Sequence, residues 1–278
     1  MDLSIVIPAY NDIRIKECIE SVDEDVERVI VLNNPSLEVE RYVKSLKNKQ
    51  RIKIVELPEA NLAKAYNAGI NATSYEKVLL MDSDCKFKPG AISLLYKGLE
   101  LAPLSKGLIV HNRTNFLNSI VARARDFHIS GYLNAYSPAL AFHKSIVQEI
   151  GYYFDEDLRW SEDHDFDNRV RKAGLKIAYI KNAKVLHPEL TPKQDLNAAF
   201  NYGLGHGVGI QKGIFKERKE NSVKKIKKMK NFYKLVAEKQ GHLAAIYMLI
   251  WNFSFSRGVK KQRKYNVFQV YSNKDELL

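Results

Sequence analysis

Leu3-Ser4-Ile5-Val6-Ile7-Pro8-Ala9-Tyr10-Asn11 is the stretch on which the fold turns. Residues 3–7 are apolar apart from Ser4, too short for a helix, and stopped by Pro-Ala-Tyr-Asn. That pattern predicts a buried strand. The same alternation continues outward from it. A helical stretch with Ile15, Ile19 and Val22 on one face follows, then a strand at 29–32 that halts at Asn33-Asn34-Pro35-Ser36. A helix over 37–47, a strand over 52–57, a helix over 61–72 and a strand over 77–81 complete the run. Strands alternating with helices predict an α/β fold with a mostly parallel sheet flanked by helices. Such sheets bind ligands at the carboxyl ends of their strands, which here are 8–11, 33–36, 58–61 and 82–84.

The second half is less regular. The pattern predicts a helix over 89–102, a strand over 107–110, a short strand over 139–142 and a helix near 145–150. Ser161 is expected to cap a helix reaching Ala173, with short closing strands at 177–180 and 184–186 before His187-Pro188. The composition changes after Gln194. The expected division is therefore a catalytic-type domain over 1–194, with halves of about 1–105 and 106–194, and a helical basic appendage over 195–278.

Charge supports that division. The chain of 278 residues has net charge +12. Residues 212–264 hold 16 Lys and Arg against 3 Asp and Glu, a balance of +13, which leaves −1 for everything else. A near-neutral main domain argues against a general nucleic-acid binder. Cys18 and Cys85 have neither metal-like nor redox-like spacing, and the start has no basic segment ahead of an apolar stretch. A cytoplasmic location without a leader is the expectation.

Three constellations carry chemistry. Asp82-Ser83-Asp84 closes the fourth strand, and two carboxylates two residues apart can share a hard cation with a diphosphate. An isolated D-x-D is also a common loop tripeptide. Trp160-Ser161-Glu162-Asp163-His164-Asp165 opens a helix on which Glu162, Phe166, Arg169 and Ala173 share a face. Asp163 stands in the first turn, where the helix dipole favours an ionised carboxylate able to accept a proton. Acid-rich helix starts are also favoured without any catalytic role. His187 follows a short apolar strand and offers a neutral imidazole.

Taken in order, Ser4 to Asn11, Asn67-Ala68-Gly69-Ile70, Leu80 to Asp84, Phe154-Asp155-Glu156, Ser161 to Arg169, Gly174-Leu175-Lys176-Ile177 and His187 resemble the family 2 glycosyltransferases. The resemblance covers roughly the first 190 residues and implies a GT-A, Rossmann-like fold. It implies an inverting transfer of one sugar from a nucleotide-diphospho-sugar to an acceptor hydroxyl, in cell-surface glycan or glycolipid synthesis. Pro8, Ala9, Asn11, Asn33, Asn34, Asn67, Asp82 and Ser83 would form the donor site. Asp84, His187 and Asp82 would hold Mn²⁺ or Mg²⁺. Asp163 would be the base, Glu162 would orient the acceptor, and Trp160 and Arg169 would bind it. Family members commonly have an acid where this chain has Asn33-Asn34, and an amide both donates and accepts. This leaves the choice of base open. The Arg-Trp motif of processive synthases is replaced by Arg169-Val170-Arg171-Lys172, which favours one sugar per encounter.

Gly203-Leu204-Gly205-His206-Gly207-Val208-Gly209 lacks the preceding strand of a dinucleotide fingerprint. It is expected to be a pliable segment near the site mouth, with His206 unpartnered. In the appendage, Lys224 to Lys230 is densely basic and Leu243 to Phe255 is an apolar run of 13 residues, short of the about 20 that span a bilayer. Tyr247, Trp251 and Phe253 are interface-loving types. A helix lying on an anionic cytoplasmic leaflet fits this, beside a lipid-linked acceptor. The alternative is packing on the main domain or on a second copy of the chain, and nucleic acid ranks third. The rival functions are a sugar-nucleotide nucleotidyltransferase, a non-catalytic nucleotide-sugar-binding module and a tethering protein. The loop 8–12 lacks the Gly-rich, Arg-containing character of the first rival.

Overall fold

The computed structural model describes residues 1–47, 49–127, 134–217 and 221–275. Residues 48, 128–133, 218–220 and 276–278 lie outside them.

Eight strands form one sheet in the order β3-β2-β1-β4-β7-β6-β8-β5. They are β1 (Leu3–Ala9), β2 (Glu27–Asn33), β3 (Ile52–Leu57), β4 (Lys77–Leu80), β5 (Lys86–Phe87), β6 (Leu104–His111), β7 (Leu140–His143) and β8 (Ile177–His187). The helices are α1 (Ile15–Glu20), α2 (Leu37–Ser45), α3 (Leu62–Ala72), α4 (Ala91–Gly98), α5 (Phe116–Arg125), α6 (Val147–Ile150), α7 (Glu162–Lys172), α8 (Pro192–Gln211), α9 (Ser222–Gln240) and α10 (His242–Asp275). β3, β2, β1 and β4 run parallel. β7 is antiparallel to β4 and β6, whereas β6 and β8 are parallel. This is the α/β arrangement, a mostly parallel sheet flanked by helices, expected from the sequence.

The sheet is buried on both faces, which explains the continuous apolar strands. Leu3, Ile5 and Ile7 of β1 point into one layer with Ile15, Val39 and Ile92. Val6 points into the other with Tyr66, Ile70 and Phe166. Gly69 lets α3 close on the sheet, since a Cβ there would stand 2.3 Å from Val6 Cγ1.

Residues 1–112, 129–156 and 162–188 make one compact unit; 113–128, 157–161 and 189–278 make a second. This division differs from a linear boundary at 194, because α5 and residues 157–161 belong with the appendage. The closing strands read as two are one, β8, with an irregularity opposite Gly107/Leu108. β5 and α5 were not legible, being a two-residue strand and a helix in a stretch read as loop.

Unit 2 has its own core, built from Val121, Phe127, Ala199, Val236, Ala245, Met248 and Trp251. Inside it Asp195 accepts from Tyr247 Oη at 2.8 Å and pairs with Arg125 Nε at 3.5 Å. Tyr247 and Trp251 are therefore core residues and not lipid-facing ones; of the expected interface trio only Phe253 is exposed. The alternate glycines are not a pliable segment. They lie inside α8, started by Pro192 and a Thr191–Gln194 capping box, where a Cβ on Gly203 would meet Phe255 O at 2.0 Å. His206 stacks on Phe215, with ring centroids 4.5 Å apart.

Candidate functional site

The parallel strands bring their carboxyl ends into one row. Ala9 stands opposite Leu32, the Asn34 amide bonds to Leu57 O at 3.2 Å, and the Met81 amide bonds to Val6 O at 3.0 Å. Residues 8–11, 33–34 and 82–84 thus line one edge of unit 1. β1 lies between β2, which comes next in the chain, and β4, which comes later. A strand flanked this way marks a topological switch point, where open α/β sheets take their ligands.

Each expected donor-site residue has a definite setting. Pro8 and Ala9 are buried, whereas Asn11 is exposed. Asn33 is buried and its Oδ1 accepts from the Asn61 amide at 2.8 Å. Asn34 adopts φ 51°, a left-handed conformation that asparagine tolerates. Asn67 grips another segment. Its amide donates to Phe154 O at 2.9 Å and Glu156 Oε1 at 3.1 Å, and accepts from the Phe154 amide at 3.1 Å. Asn61 also donates to Glu156 O, at 2.8 Å. The two asparagines therefore anchor Phe154-Asp155-Glu156 to α3.

Asp82 and Asp84 have different surroundings. Asp82 Oδ1 lies in a triangle with Tyr66 Oη at 2.7 Å and Ser137 Oγ at 3.1 Å, and the two hydroxyls are 2.8 Å apart. Burial, then the Asp84 charge, raises the Asp82 carboxyl above the usual range, and the Tyr66 bond partly offsets this. Asp84 is partly exposed, and Arg14 Nη2 is 3.8 Å from its Oδ2. Ser83 is partly exposed between them.

Asp84, Cys85 and His187 each offer a ligand atom, and these atoms lie within 4.8 Å of one another. Among the described residues that cluster does not include Asp82. Local pairing explains it. β5 pairs with β8, Lys86 opposite Leu186, which sets Cys85 beside His187. The His187 Nδ1 is 2.9 Å from Pro188 O. A carbonyl only accepts, so Nδ1 carries the proton and a neutral ring keeps its Nε2 lone pair for a cation. Burial, then the Asp84 charge, pushes the Cys85 thiol well up. It stays protonated and donates to Asp84 Oδ1 at 3.2 Å. A carboxylate and an imidazole beside a protonated thiol fit a hard or borderline cation such as Mn²⁺ or Mg²⁺.

The start of α7 supplies the third constellation. Glu162 is buried and Asp163 partly exposed. His164 Nδ1 is 3.1 Å from Tyr136 Oη. Asp167 accepts from the Ala135 amide at 2.8 Å and from Arg171 Nε at 2.6 Å. Arg169 bonds within unit 1. It donates to Asp165 at 2.8 Å, to Ile150 O at 3.1 Å, to Tyr153 O at 2.6 Å and to Tyr152 O. Three of these bonds hold residues 150–153, and the fourth ties Arg169 to Asp165. Ser161 Oγ donates to Tyr202 O at 3.1 Å within unit 2. Trp160, also in unit 2, is half exposed at φ 71° and meets Tyr202 edge-on at 6.2 Å.

Several residues were not foreseen. Lys106 is buried on β6, and its ammonium donates to Pro138 O at 2.6 Å and to Tyr136 O. Burial lowers its pKa to about 8, opposed first by the charges of Asp82 and then Asp163. The same ammonium fixes the segment that carries Ser137. His111 ends β6 directly opposite His187, with ring centroids 4.9 Å apart. A histidine at the end of a predicted strand was a usable signal for His111. Lys106 had none, because its partners are 30 or more residues away.

Residues 4–105 match the family model described as glycosyl transferase family 2. The chain is 29% identical over 200 residues to "Uncharacterized glycosyltransferase YwdF" of Bacillus subtilis (strain 168), covering 67% of this chain and 74% of that protein. Among solved structures it resembles S. aureus TarS 1–349 in complex with UDP-GlcNAc. The TM-score is 0.56 at 12% identity, over 96% of this chain and 92% of that one. Against the longer S. aureus TarS structure the TM-score is 0.54 at 17% identity, over 76% of this chain. The match spans only 40% of that longer chain.

Proposed function

We propose that the chain, whose residues 4–105 match the glycosyl transferase family 2 model, is a glycosyltransferase of that family that carries out an inverting, metal-dependent transfer of one sugar from a nucleotide-diphospho-sugar to an acceptor hydroxyl. The observation that carries the metal-dependent donor site is the meeting of Asp84 and His187 at the carboxyl ends of the strands. A uridine diphosphate sugar is the first donor to consider, since the S. aureus TarS 1–349 structure holds UDP-GlcNAc. The acceptor is a carbohydrate or lipid-linked glycan of the cell surface. The enzyme works peripherally on the inner face of the membrane, and no helix among the described residues is long and apolar enough to cross one.

Asp163 takes the proton from the acceptor hydroxyl, whose oxygen attacks the anomeric carbon. The bond from that carbon to the donor's β-phosphate oxygen breaks on the opposite side, giving inversion. Asp84 and His187 would hold the divalent cation, which when bound stabilises charge on the departing diphosphate. Glu162 orients the acceptor. Asp82, held by Tyr66 and Ser137, faces the ribose. Asn67 and Arg169 support the site from behind, by the contacts described above.

The test is calorimetric titration of UDP, GDP, dTDP and CDP with and without Mn²⁺, followed by transfer assays with the sugar form of the nucleotide that binds. Asp84→Ala is expected to abolish the metal-dependent part of binding. Asp163→Asn is expected to keep donor binding and lose about 10²- to 10⁴-fold in kcat. Full turnover by Asp163→Asn would remove it as the base. Nucleotide binding indifferent to both Mn²⁺ and Asp84 would remove the metal from the reading.

A further inference from the structure

Unit 2 leaves two apolar helix faces uncovered, and both adjoin dense positive charge. On α10, Leu243, Ile246, Ile250 and Phe253 are each about half exposed or more. Their spacing puts them along one line of the helix, while Ala244, Ala245, Tyr247, Met248 and Trp251 face the core. Phe116 of α5, also exposed, borders with Leu243 and Arg123 a concavity of about 240 Å³, so the apolar line continues onto α5. Beyond Phe253 the same helix exposes Arg257, Lys260, Lys261, Arg263 and Lys264.

The second face is on α9. Residues 223–230 are all exposed. Val223, Ile226 and Met229 fall on one side of the helix and Lys224, Lys225, Lys227 and Lys228 on the other. Of the 15 exposed large hydrophobic residues among those described, 10 belong to unit 2, which is the smaller unit. Patches of this kind beside basic residues mark a surface that meets something.

We propose that this surface of unit 2 docks on an anionic lipid bilayer, with the outward line of α10 and the apolar side of α9 entering the headgroup–acyl boundary and the lysines meeting lipid phosphates. This deepens the peripheral localisation proposed above and does not depend on the donor chemistry. Charge decides between occupants. A second copy that met it face to face would bring the same +13 segment against itself, and the rest of the chain carries a net charge of only −1. A nucleic acid neutralises lysine but leaves Ile246, Ile250 and Phe253 in water. A bilayer satisfies both requirements, and lysine stems reach along apolar surface to the headgroups.

The experiment is flotation of the full chain with phosphatidylglycerol-containing vesicles and with pure phosphatidylcholine vesicles. Expected is binding to the first, weak binding to the second, and loss of binding as salt rises. The triple variant Ile246→Ser, Ile250→Ser, Phe253→Ser changes only outward side chains and is expected to weaken vesicle binding about tenfold or more. The variant with Lys224, Lys225, Lys227 and Lys228 each changed to Glu is expected to lose the preference for anionic lipid. Nucleotide binding measured on the same samples reports folding and keeps this test separate from the transferase reading. No vesicle binding by the full chain, equal binding by the serine variant, or a concentration-dependent dimer that the serine variant abolishes would overturn the proposal. Binding to a polyanionic nucleic acid without binding to vesicles would do so too.

Discussion

Glu27, at the start of β2, shows how a single side chain sets a pH dependence. It is buried and accepts from Ser4 Oγ at 2.5 Å and the Ser74 amide at 2.8 Å, and Lys53 Nζ lies 2.9 Å from it. Burial alone would raise its pKa, but these partners outweigh that and bring it from 4.5 to about 2. A carboxyl depressed in the folded state contributes stability above its unfolded pKa and loses it as pH falls through the folded one. The window here lies between 4.5 and about 2. Glu27→Gln is therefore expected to cost about 1–3 kcal/mol near neutral pH, with the gap narrowing across that window. Urea unfolding at several pH values checks it, and a gap that does not change with pH would exclude the linkage. At this scale the sequence identified residue types well and partners poorly. Asp84, Asp163 and His187 stand out because each closes or opens an element. Arg169 and Asn67 were assigned to ligands because nothing in sequence shows that Ile150–Tyr153 and Phe154–Glu156 had already claimed their hydrogen bonds.

At the scale of elements, α8 and α10 interlock through glycine. A Cβ on Gly203 would meet Phe255 O, and one on Gly258 would meet Phe200 O, each at 2.0 Å. Alanine has the better helix propensity by about 1 kcal/mol, yet the obstruction is backbone and cannot rotate away. Overpacking of this kind costs about 1–3 kcal/mol, so Gly203→Ala is expected to lower Tm despite the propensity gain. A higher Tm would mean the helices are not in this contact in solution. The parallel strands were legible because their continuous apolar character is local. The two-residue β5 was not, since it exists only by pairing with β8. Helix α8 was misread because a glycine run predicts a loop unless a packed partner requires the absent side chains.

For the whole molecule, the two units are interleaved along the chain. Val121 and Ala124 of α5, with Phe127 just after it, belong to the core made with α8, α9 and α10. Truncation after Pro188 would therefore leave an apolar α5 without its partners. The fragment 1–188 is expected to bind a hydrophobic dye and aggregate, while truncation after Lys264 is expected to stay well folded. A soluble, cooperatively unfolding 1–188 fragment would refute this. The sequence by itself determined the α/β class, the row of strand ends, the Asp82–Asp84, Asp163 and His187 candidates and the concentration of charge in one segment. Each of these is written in local periodicity or in residue type. Only the tertiary structure decided that Cys85 and His111 join His187, that Lys106 holds the segment carrying Ser137, and which side of α10 is core. Those depend on pairings between residues far apart in the chain, which local pattern does not encode.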